Sequence, residues 1–266
     1  MKCIEELLLD KNLVSTYHHK LSEKNLIFYD TETTGILKDF SQILQCGSVL
    51  TDEGLNTLGE QNIGCAPLPW VIPQPMAMIT NKKIDLFKSN TSHYQMMKDL
   101  QMQWKQWSAE NPAIFITYNG HAFDEELVRR QFFWNLLEPY TTNTNGNGRL
   151  DLMLMIHNIA AFFSDEISMP LFEGGPGISY KLEHLAIEHG IDAGDAHDAI
   201  ADCNLMIEMC RIIKERLPEV FQSFINISTK PGVKELLYSE DFLALGEIHR
   251  RHTFRYPVVM CGGDAT

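Results

Sequence analysis

The stretch 26–35, with the sequence LIFYDTETTG, constrains the fold more than any other part of the chain. Its first half is apolar and aromatic, which favours a buried β-strand, and its closing threonines and glycine are typical of a turn. Because alternate side chains of a strand share one face, we expect Asp30 and Glu32 to project together from the strand end. Two adjacent carboxylates repel each other, and a bound Mg²⁺ or Mn²⁺ ion is the usual compensation. The alternative is structural, with Asp30 capping a turn and Glu32 facing solvent.

Length and composition indicate one large domain, or one domain with a tail. The 266 residues are 44% hydrophobic and carry a formal net charge of −13, so a sizeable core is expected but broad nonspecific binding of duplexes is not. The six cysteines form no C-x-x-C pair, which indicates reduced thiols in an intracellular protein. No apolar run approaches the roughly 18 residues of a membrane span. The acidic N-terminus lacks the plan of a signal peptide, so we expect a cytoplasmic protein with no membrane partner.

The order of the predicted elements favours an α/β fold. An amphipathic helix is expected over 3–21, and the strand 26–30 is followed by strands over 43–50 and 58–65 that are joined by a hairpin. The proline-rich segment 66–75 is incompatible with a helix or a central strand. A fourth strand is predicted over 113–118, and helices are predicted over 92–109, 122–137, 150–163, 180–189 and 195–216. Antiparallel strands followed by strand–helix alternation predict a mixed sheet flanked by helices.

Three further polar residues lie where this order places the end of a strand or the start of a helix. Asp124 follows the fourth strand and begins a helix, a position from which it reaches the strand ends. His197 and Asp202 lie at the start of the last long helix, where the histidine is suited to accept a proton from water. Each residue also has a structural interpretation: Asp124 as a helix N-cap, and the other two as a solvated helix start. Taken together with Asp30 and Glu32, the five residues predict a two-metal phosphodiester site with His197 as general base.

Further motifs occur in the same order as these five residues. They are Cys65-Ala-Pro67, Pro73-Gln-Pro75, Ile79-Thr80, Tyr118-Asn119 with Phe123, Glu138-Pro-Tyr140, Arg149-x-Asp151-Leu152, Leu182-Glu-His-Leu185 and Ala196-His-Asp-Ala199. On these motifs the chain resembles the DEDDh 3′–5′ exonucleases, and within them most closely the exonuclease domain of the bacterial exonuclease I family. The resemblance implies an RNase H-like mixed five-stranded sheet flanked by helices. It implies the exonuclease domain over 25–225 and a tail over 226–266 that resembles the start of a truncated second domain. The N-terminal helical extension expected over 1–24 is absent from the exonuclease I pattern.

The resemblance also implies an activity and a set of contacts. The activity is hydrolysis of single-stranded DNA from the 3′ end with release of 5′-mononucleotides, and two Mg²⁺ or Mn²⁺ ions are implied as cofactors. The metal ligands implied are Asp30, Glu32, Asp124 and Asp202, with His197 as general base. The substrate contacts implied are Glu32, Thr33, Ile79, Asn119, Arg129, Tyr140 and Lys181.

Three departures from the exonuclease I pattern bear on these contacts. Lys181 and His157 stand where that family has arginines, so contacts to the DNA strand are expected to be weaker. Asn81 replaces a glycine after Ile79-Thr80, which leaves the conformation of this turn open. The alternatives to a DNA exonuclease are the same chemistry on RNA ends, or a catalytically silent nucleic-acid-binding module. Retention of all five site residues argues against the silent module.

Overall fold

The computed structural model describes residues 24–194 and 198–262. Within them, five strands form one mixed sheet in the order β3-β2-β1-β4-β5. The strands are β1 (Asn25–Thr33), β2 (Ile43–Thr51), β3 (Thr57–Gly64), β4 (Ala113–Thr117) and β5 (Gly148–Asp151). The first three strands pair antiparallel, whereas β1–β4 and β4–β5 pair parallel. The mixed five-stranded sheet predicted from the sequence is confirmed.

Eight α-helices lie in the described part of the chain. They are α1 (Pro75–Asn81), α2 (His93–Trp107), α3 (Asp124–Trp134), α4 (Leu152–Phe162), α5 (Leu182–Glu188), α6 (Ala199–Arg216), α7 (Pro218–Asn226) and α8 (Lys230–Ser239). A short 3-10 helix spans Lys83–Lys88 between α1 and α2. Residues 66–74 have no regular structure, as predicted. Pro75, which was predicted to lie in the same loop, instead begins α1, because a proline in the first turn loses no helical hydrogen bond.

The central strand β1 has a core on each side because its side chains alternate. Leu26 and Phe28 pack against one cluster that contains residues of α4 and α6. Ile27 and Tyr29 pack against a second cluster that contains residues of α2 and α3. Residues of β1 with even numbers therefore face α6, and residues with odd numbers face α3. This alternation decides on which side of the sheet each polar residue at the end of β1 lies.

The last described elements form a hairpin of strands β6 (Leu243–His249) and β7 (His252–Val258). The hairpin contacts α4, because the Gly246 amide donates to Asn158 Oδ1 over 2.9 Å and Arg255 Nε donates to the Ala161 carbonyl. The division of the chain into 25–225 and a tail over 226–266 stays a prediction. The helix predicted over 3–21 lies outside the described residues.

Two observations bear on the environment predicted for the chain. In the described ranges, no helix combines the length and the apolar character that crossing a bilayer requires. The cysteines of those ranges are all free thiols, and four of them are buried. This agrees with the absence of a disulfide pattern in the sequence. The cellular compartment stays a prediction.

Candidate active site

Three carboxylates meet at the end of β1. One oxygen each of Asp30, Glu32 and Asp202 lies within 4.8 Å of the other two. Asp30 and Glu32 lie two residues apart on the face of β1 that α6 covers, and Asp202 lies in the first turn of α6. We call these three residues the carboxylate cluster. Its donors are all oxygen atoms of partly buried side chains, which fits a hard divalent cation such as Mg²⁺ or Mn²⁺.

Close packing of α6 against β2 brings Asp202 to the cluster. Gly47 of β2 pairs with Asp30 of β1, and a Cβ built on Gly47 would lie 2.6 Å from the carbonyl carbon of Ala199. Any side chain at position 47 would therefore collide with the backbone at the start of α6. The missing side chain of Gly47 lets the helix approach the strand that carries Asp30.

Asp198 orders the start of the same helix. Its Oδ1 atom accepts a hydrogen bond from the Ile200 amide over 3.2 Å, which is the geometry of a helix N-cap. Its carbonyl accepts the Asp202 amide over 2.9 Å. The first turn of α6, and with it Asp202, is thus anchored on Asp198.

Asp124 approaches the end of β1 from the opposite side of the sheet. It begins α3, and its Oδ1 atom accepts a hydrogen bond from the Thr31 hydroxyl. Since Thr31 lies between Asp30 and Glu32, its side chain faces away from theirs. Asp124 is buried beside the cluster and is not one of the three residues that meet within 4.8 Å. Its predicted role as a fourth metal ligand stays a prediction.

The electrostatics of the site favour cation binding. Burial raises the pKa of Asp30 well above its usual range, and the charges of Asp124, Asp202 and Glu32 raise it further. Burial raises the pKa of Glu32 to about 8, although the nearby charge of Lys83 opposes the rise. Burial likewise raises the pKa of Asp124 to about 6, although the hydrogen bond from Thr31 lowers it. A divalent cation would stabilise the ionised carboxylates that burial and the neighbouring charges disfavour.

His197, the predicted general base, lies with residues 195 and 196 outside the described part of the chain. The neighbouring Asp198 is described, and it caps α6, the helix that carries Asp202 of the cluster. The assignment of His197 as proton acceptor stays a prediction.

A cavity of about 320 Å³ adjoins the cluster and contains two of the predicted substrate contacts. Its lining residues are Tyr118, Asn119, Met153, Tyr180, Lys181, Leu182, Glu183 and Asp202. The Asn119 backbone is left-handed with φ of 59°, and its amide donates to Asp151 Oδ1 over 2.8 Å. Lys181 Nζ donates to Glu183 Oε1 over 3.0 Å. The structure thus brings Asn119 and Lys181, which are far apart in sequence, to one cavity with Asp202.

The other predicted substrate contacts lie around the end of β1 or on α3 and the loop after it. Thr33 is buried, and its hydroxyl donates to the Gly35 carbonyl over 2.8 Å. Ile79 of α1 is 69% exposed and Tyr140 is 47% exposed, which leaves both side chains accessible to a ligand. Arg129 lies within α3 and is partly buried. The substrate contacts of all four residues stay predictions.

Sequence reasoning did not identify Lys83. Its Nζ atom donates to Asp198 Oδ2 over 2.8 Å, and its charge acts on Glu32. No local pattern indicated this role, because Lys83 follows a helix end with an ordinary sequence and its partner lies 115 residues away. Asn81, which the sequence marked only as a departure, donates from Nδ2 to the Thr33 carbonyl over 2.9 Å.

Comparisons with known proteins agree with the motifs. No protein-family model matches the chain. Exodeoxyribonuclease I of Buchnera aphidicola subsp. Schizaphis graminum is 29% identical over 227 residues, which are 84% of this chain and 46% of that protein. A solved structure of exonuclease I from Methylocaldum szegediense is 27% identical and superposes with a TM-score of 0.75 over 86% of this chain and 48% of that one.

The chain resembles exonuclease I. Escherichia coli exonuclease I, solved in complex with a dA16 oligonucleotide, shares its fold with a TM-score of 0.74 and 25% identity over 80% of this chain and 45% of that one. The resemblance to the exonuclease domain of exonuclease I and the RNase H-like sheet, both predicted from the sequence, are confirmed. The chain spans about half the length of the curated exonuclease I relatives that it matches.

Proposed function

We propose that this chain is a metal-dependent 3′–5′ exonuclease that hydrolyses single-stranded DNA from the 3′ end and releases 5′-mononucleotides. The observation that carries this proposal is the meeting of Asp30, Glu32 and Asp202 within 4.8 Å, in a chain that resembles exonuclease I. Residues 25–225 are proposed as the exonuclease domain.

Asp30, Glu32 and Asp202 would hold divalent cations, with Asp124 as a fourth ligand from the other side of β1. Two bound Mg²⁺ or Mn²⁺ ions would activate water and stabilise the leaving oxygen of the phosphodiester. Because the pKa values of Asp30 and Glu32 are raised in the metal-free chain, both side chains would release protons when a cation binds. His197, which directly precedes the helix cap Asp198, is proposed to accept the proton from the attacking water.

The cavity beside Asp202 is proposed as the place of the terminal nucleotide. Lys181 supplies a positive charge suited to a phosphate, and Asn119 supplies a polar group at the same cavity. The exposed Ile79 and Tyr140 supply an apolar surface and a ring for bases. Support for DNA as the polymer comes from the relatives, which are exodeoxyribonucleases, one of them solved with an oligonucleotide.

A substrate panel tests this proposal. DNA and RNA oligonucleotides of matched sequence, single- and double-stranded and labelled at the 5′ or the 3′ end, are incubated with Mg²⁺, Mn²⁺ or EDTA. With single-stranded DNA and added metal, we expect the 5′-labelled oligonucleotide to give a ladder of shortened products and the 3′-labelled oligonucleotide to give free labelled mononucleotide. We expect no products without metal. Faster degradation of the RNA would show that RNA, and not DNA, is the preferred substrate. Cleavage that persists in EDTA would overturn the metal-dependent chemistry.

The proton acceptor is tested separately with His197→Ala. Loss of a general base lowers turnover by about 10²–10⁴-fold, whereas Mn²⁺ binding measured by electron paramagnetic resonance should be retained. His189→Ala is the matched control, because His189 caps α5 and contacts the Ser168 carbonyl. If His197→Ala turned over at the parent rate, another proton acceptor would have to be found.

A further inference from the structure

A short segment that begins with the last residue of α1 connects the two elements that form the carboxylate cluster. Asn81 Nδ2 donates to the Thr33 carbonyl at the end of β1 over 2.9 Å. Two residues later, Lys83 Nζ donates to Asp198 Oδ2 at the start of α6 over 2.8 Å. We call residues 81–83 the bridge. It joins the strand that carries Asp30 and Glu32 to the helix that carries Asp202.

Local geometry keeps the bridge in one conformation. Asn81 is buried with 5% exposure, and its Oδ1 atom accepts the Lys83 amide over 3.2 Å while its Nδ2 atom binds Thr33. Lys82 adopts a left-handed conformation with φ of 56° and ends α1. Both polar ends of the Asn81 amide are thus used, one toward β1 and one toward the turn that presents Lys83. A glycine at position 81 would lack both hydrogen bonds.

The contact of Lys83 differs from an ordinary surface ion pair. The Lys83 side chain is only 17% exposed and that of Asp198 is 35% exposed, so water screens the pair incompletely. The two carboxylate oxygens of Asp198 have separate functions, since Oδ1 caps α6 through the Ile200 amide and Oδ2 binds Lys83. Gln45 of β2 approaches Oδ2 as well, at 3.5 Å. Lys83 therefore holds the residue on which the first turn of α6 is built.

We propose that Asn81 and Lys83 are positioning residues that set the start of α6 against the end of β1 and thereby hold Asp202 beside Asp30 and Glu32. The bridge also begins at the helix that carries Ile79. The same contacts therefore fix the position of Ile79, the proposed base-binding residue, relative to the carboxylates. The catalytic consequence rests on the proposed function. The structural consequence does not.

Hydrogen exchange of the metal-free chain measures the structural consequence directly. In Lys83→Met, amide exchange in a peptide spanning residues 198–206 should accelerate about fivefold, because the start of α6 loses its anchor. Lys83→Arg keeps the charge and should restore most of the protection. Lys88→Met is the matched control, since Lys88 is exposed and lies in the same 3-10 helix. Asn81→Ala should accelerate exchange of the same peptide, although the side-chain hydrogen bonds of Asn81 are to Thr33 and Lys83, which lie outside that peptide.

Turnover measures the catalytic consequence, together with Asp198→Asn. Asparagine keeps the capping function but removes the charge that Lys83 binds. Lys83→Met and Asp198→Asn should each lower turnover about tenfold with little change in KM, and the double variant should lose no more than either single variant. Additive losses would mean that Lys83 acts directly on Glu32 or on the substrate rather than through Asp198, and would overturn the proposal.

The two readouts separate failure of this inference from failure of the proposed function. Parent-like hydrogen exchange at the start of α6 in Lys83→Met would overturn the bridge whether or not the parent chain cleaves DNA. A parent chain that shows no metal-dependent cleavage would overturn the proposed function. In that case the exchange measurements on Lys83→Met, Lys83→Arg and Lys88→Met would still decide the role of the bridge.

Discussion

Gly47 lies opposite Asp30 across β1 and β2, and the backbone of Ala199 occupies the space where a side chain of residue 47 would be. The distance between strand and helix at this point determines whether Asp202 reaches the carboxylates of β1. The carboxylate cluster therefore depends on the absence of a side chain at Gly47, although Gly47 carries no functional group of its own.

Gly47→Val should consequently separate α6 from β2. A Cβ placed 2.6 Å from backbone cannot be accommodated by a side-chain rotation, so we expect unfolding free energy to fall by about 1–3 kcal/mol and Mn²⁺ affinity to fall at least about tenfold. Isothermal titration and chemical denaturation check both effects. Gly59→Ala on the edge strand β3 is the control, because the atom nearest to its Cβ would belong to the Trp107 side chain, at 3.3 Å, and not to the backbone. Unchanged Mn²⁺ affinity in Gly47→Val would contradict the close-approach argument.

Asp30→Asn should abolish cleavage and stabilise the metal-free chain. The carboxylate of Asp30 is buried among like charges, so its neutral isostere removes repulsion in the folded state. We expect the metal-free Tm to rise by about 2–4 °C, which corresponds to roughly 1 kcal/mol for a chain of this size, and the stabilisation by added Mn²⁺ to shrink. Asp165→Asn, at an exposed position, should change neither. A lower metal-free Tm for Asp30→Asn would show that Asp30 is held by favourable contacts instead.

Metal-free stability should fall as the pH rises through the titration of Glu32. Its pKa is about 8 in the folded chain against an ordinary value of 4.5, so the folded state binds more protons between these values and loses stability as pH increases. Thermal unfolding from pH 5 to pH 8 in EDTA tests this expectation. In Glu32→Gln the decrease of Tm with rising pH should be smaller. Saturating Mn²⁺ should remove the slope in the parent, because a bound cation keeps the carboxylates ionised in the folded state.

Thr31→Val should affect Asp124 without touching the cluster itself. Valine has the shape of threonine but cannot donate the hydrogen bond that favours the ionised form of Asp124. We expect the pKa of Asp124 to rise above about 6, and the acidic limb of the pH–rate profile to move to higher pH with about tenfold lower turnover near that pH. Thr117→Val is the matched control, since the buried Thr117 hydroxyl has no hydrogen-bond partner among the residues that the structure describes. If both variants had the pH–rate profile of the parent, the ionisation of Asp124 would not be responsible for the acidic limb.

Much of the fold was predictable because local sequence encodes it. The antiparallel strands β2 and β3 with their hairpin, strand β4, and α2 and α3 occur where alternation and helical periodicity predicted them, within a few residues at each end. Strand β5 was not predicted from local pattern, and residues 150 and 151 were wrongly placed in a helix. β5 has only four residues, too few to show alternation, and its pairing with β4 depends on residues more than 30 positions earlier.

The sequence by itself determined that Asp30 and Glu32 share a face, because the two-residue repeat of a strand is a local property. The motifs predicted that Asp124 and Asp202 would join them, but only the tertiary structure decided how each of these residues is held in place. It placed Asp202 in the cluster through the bare surface of Gly47, held Asp124 on the opposite side through Thr31, and brought Lys83 to Asp198. These relationships follow from packing of elements that are remote in the chain, and no local pattern in the sequence encodes the contacts that hold them.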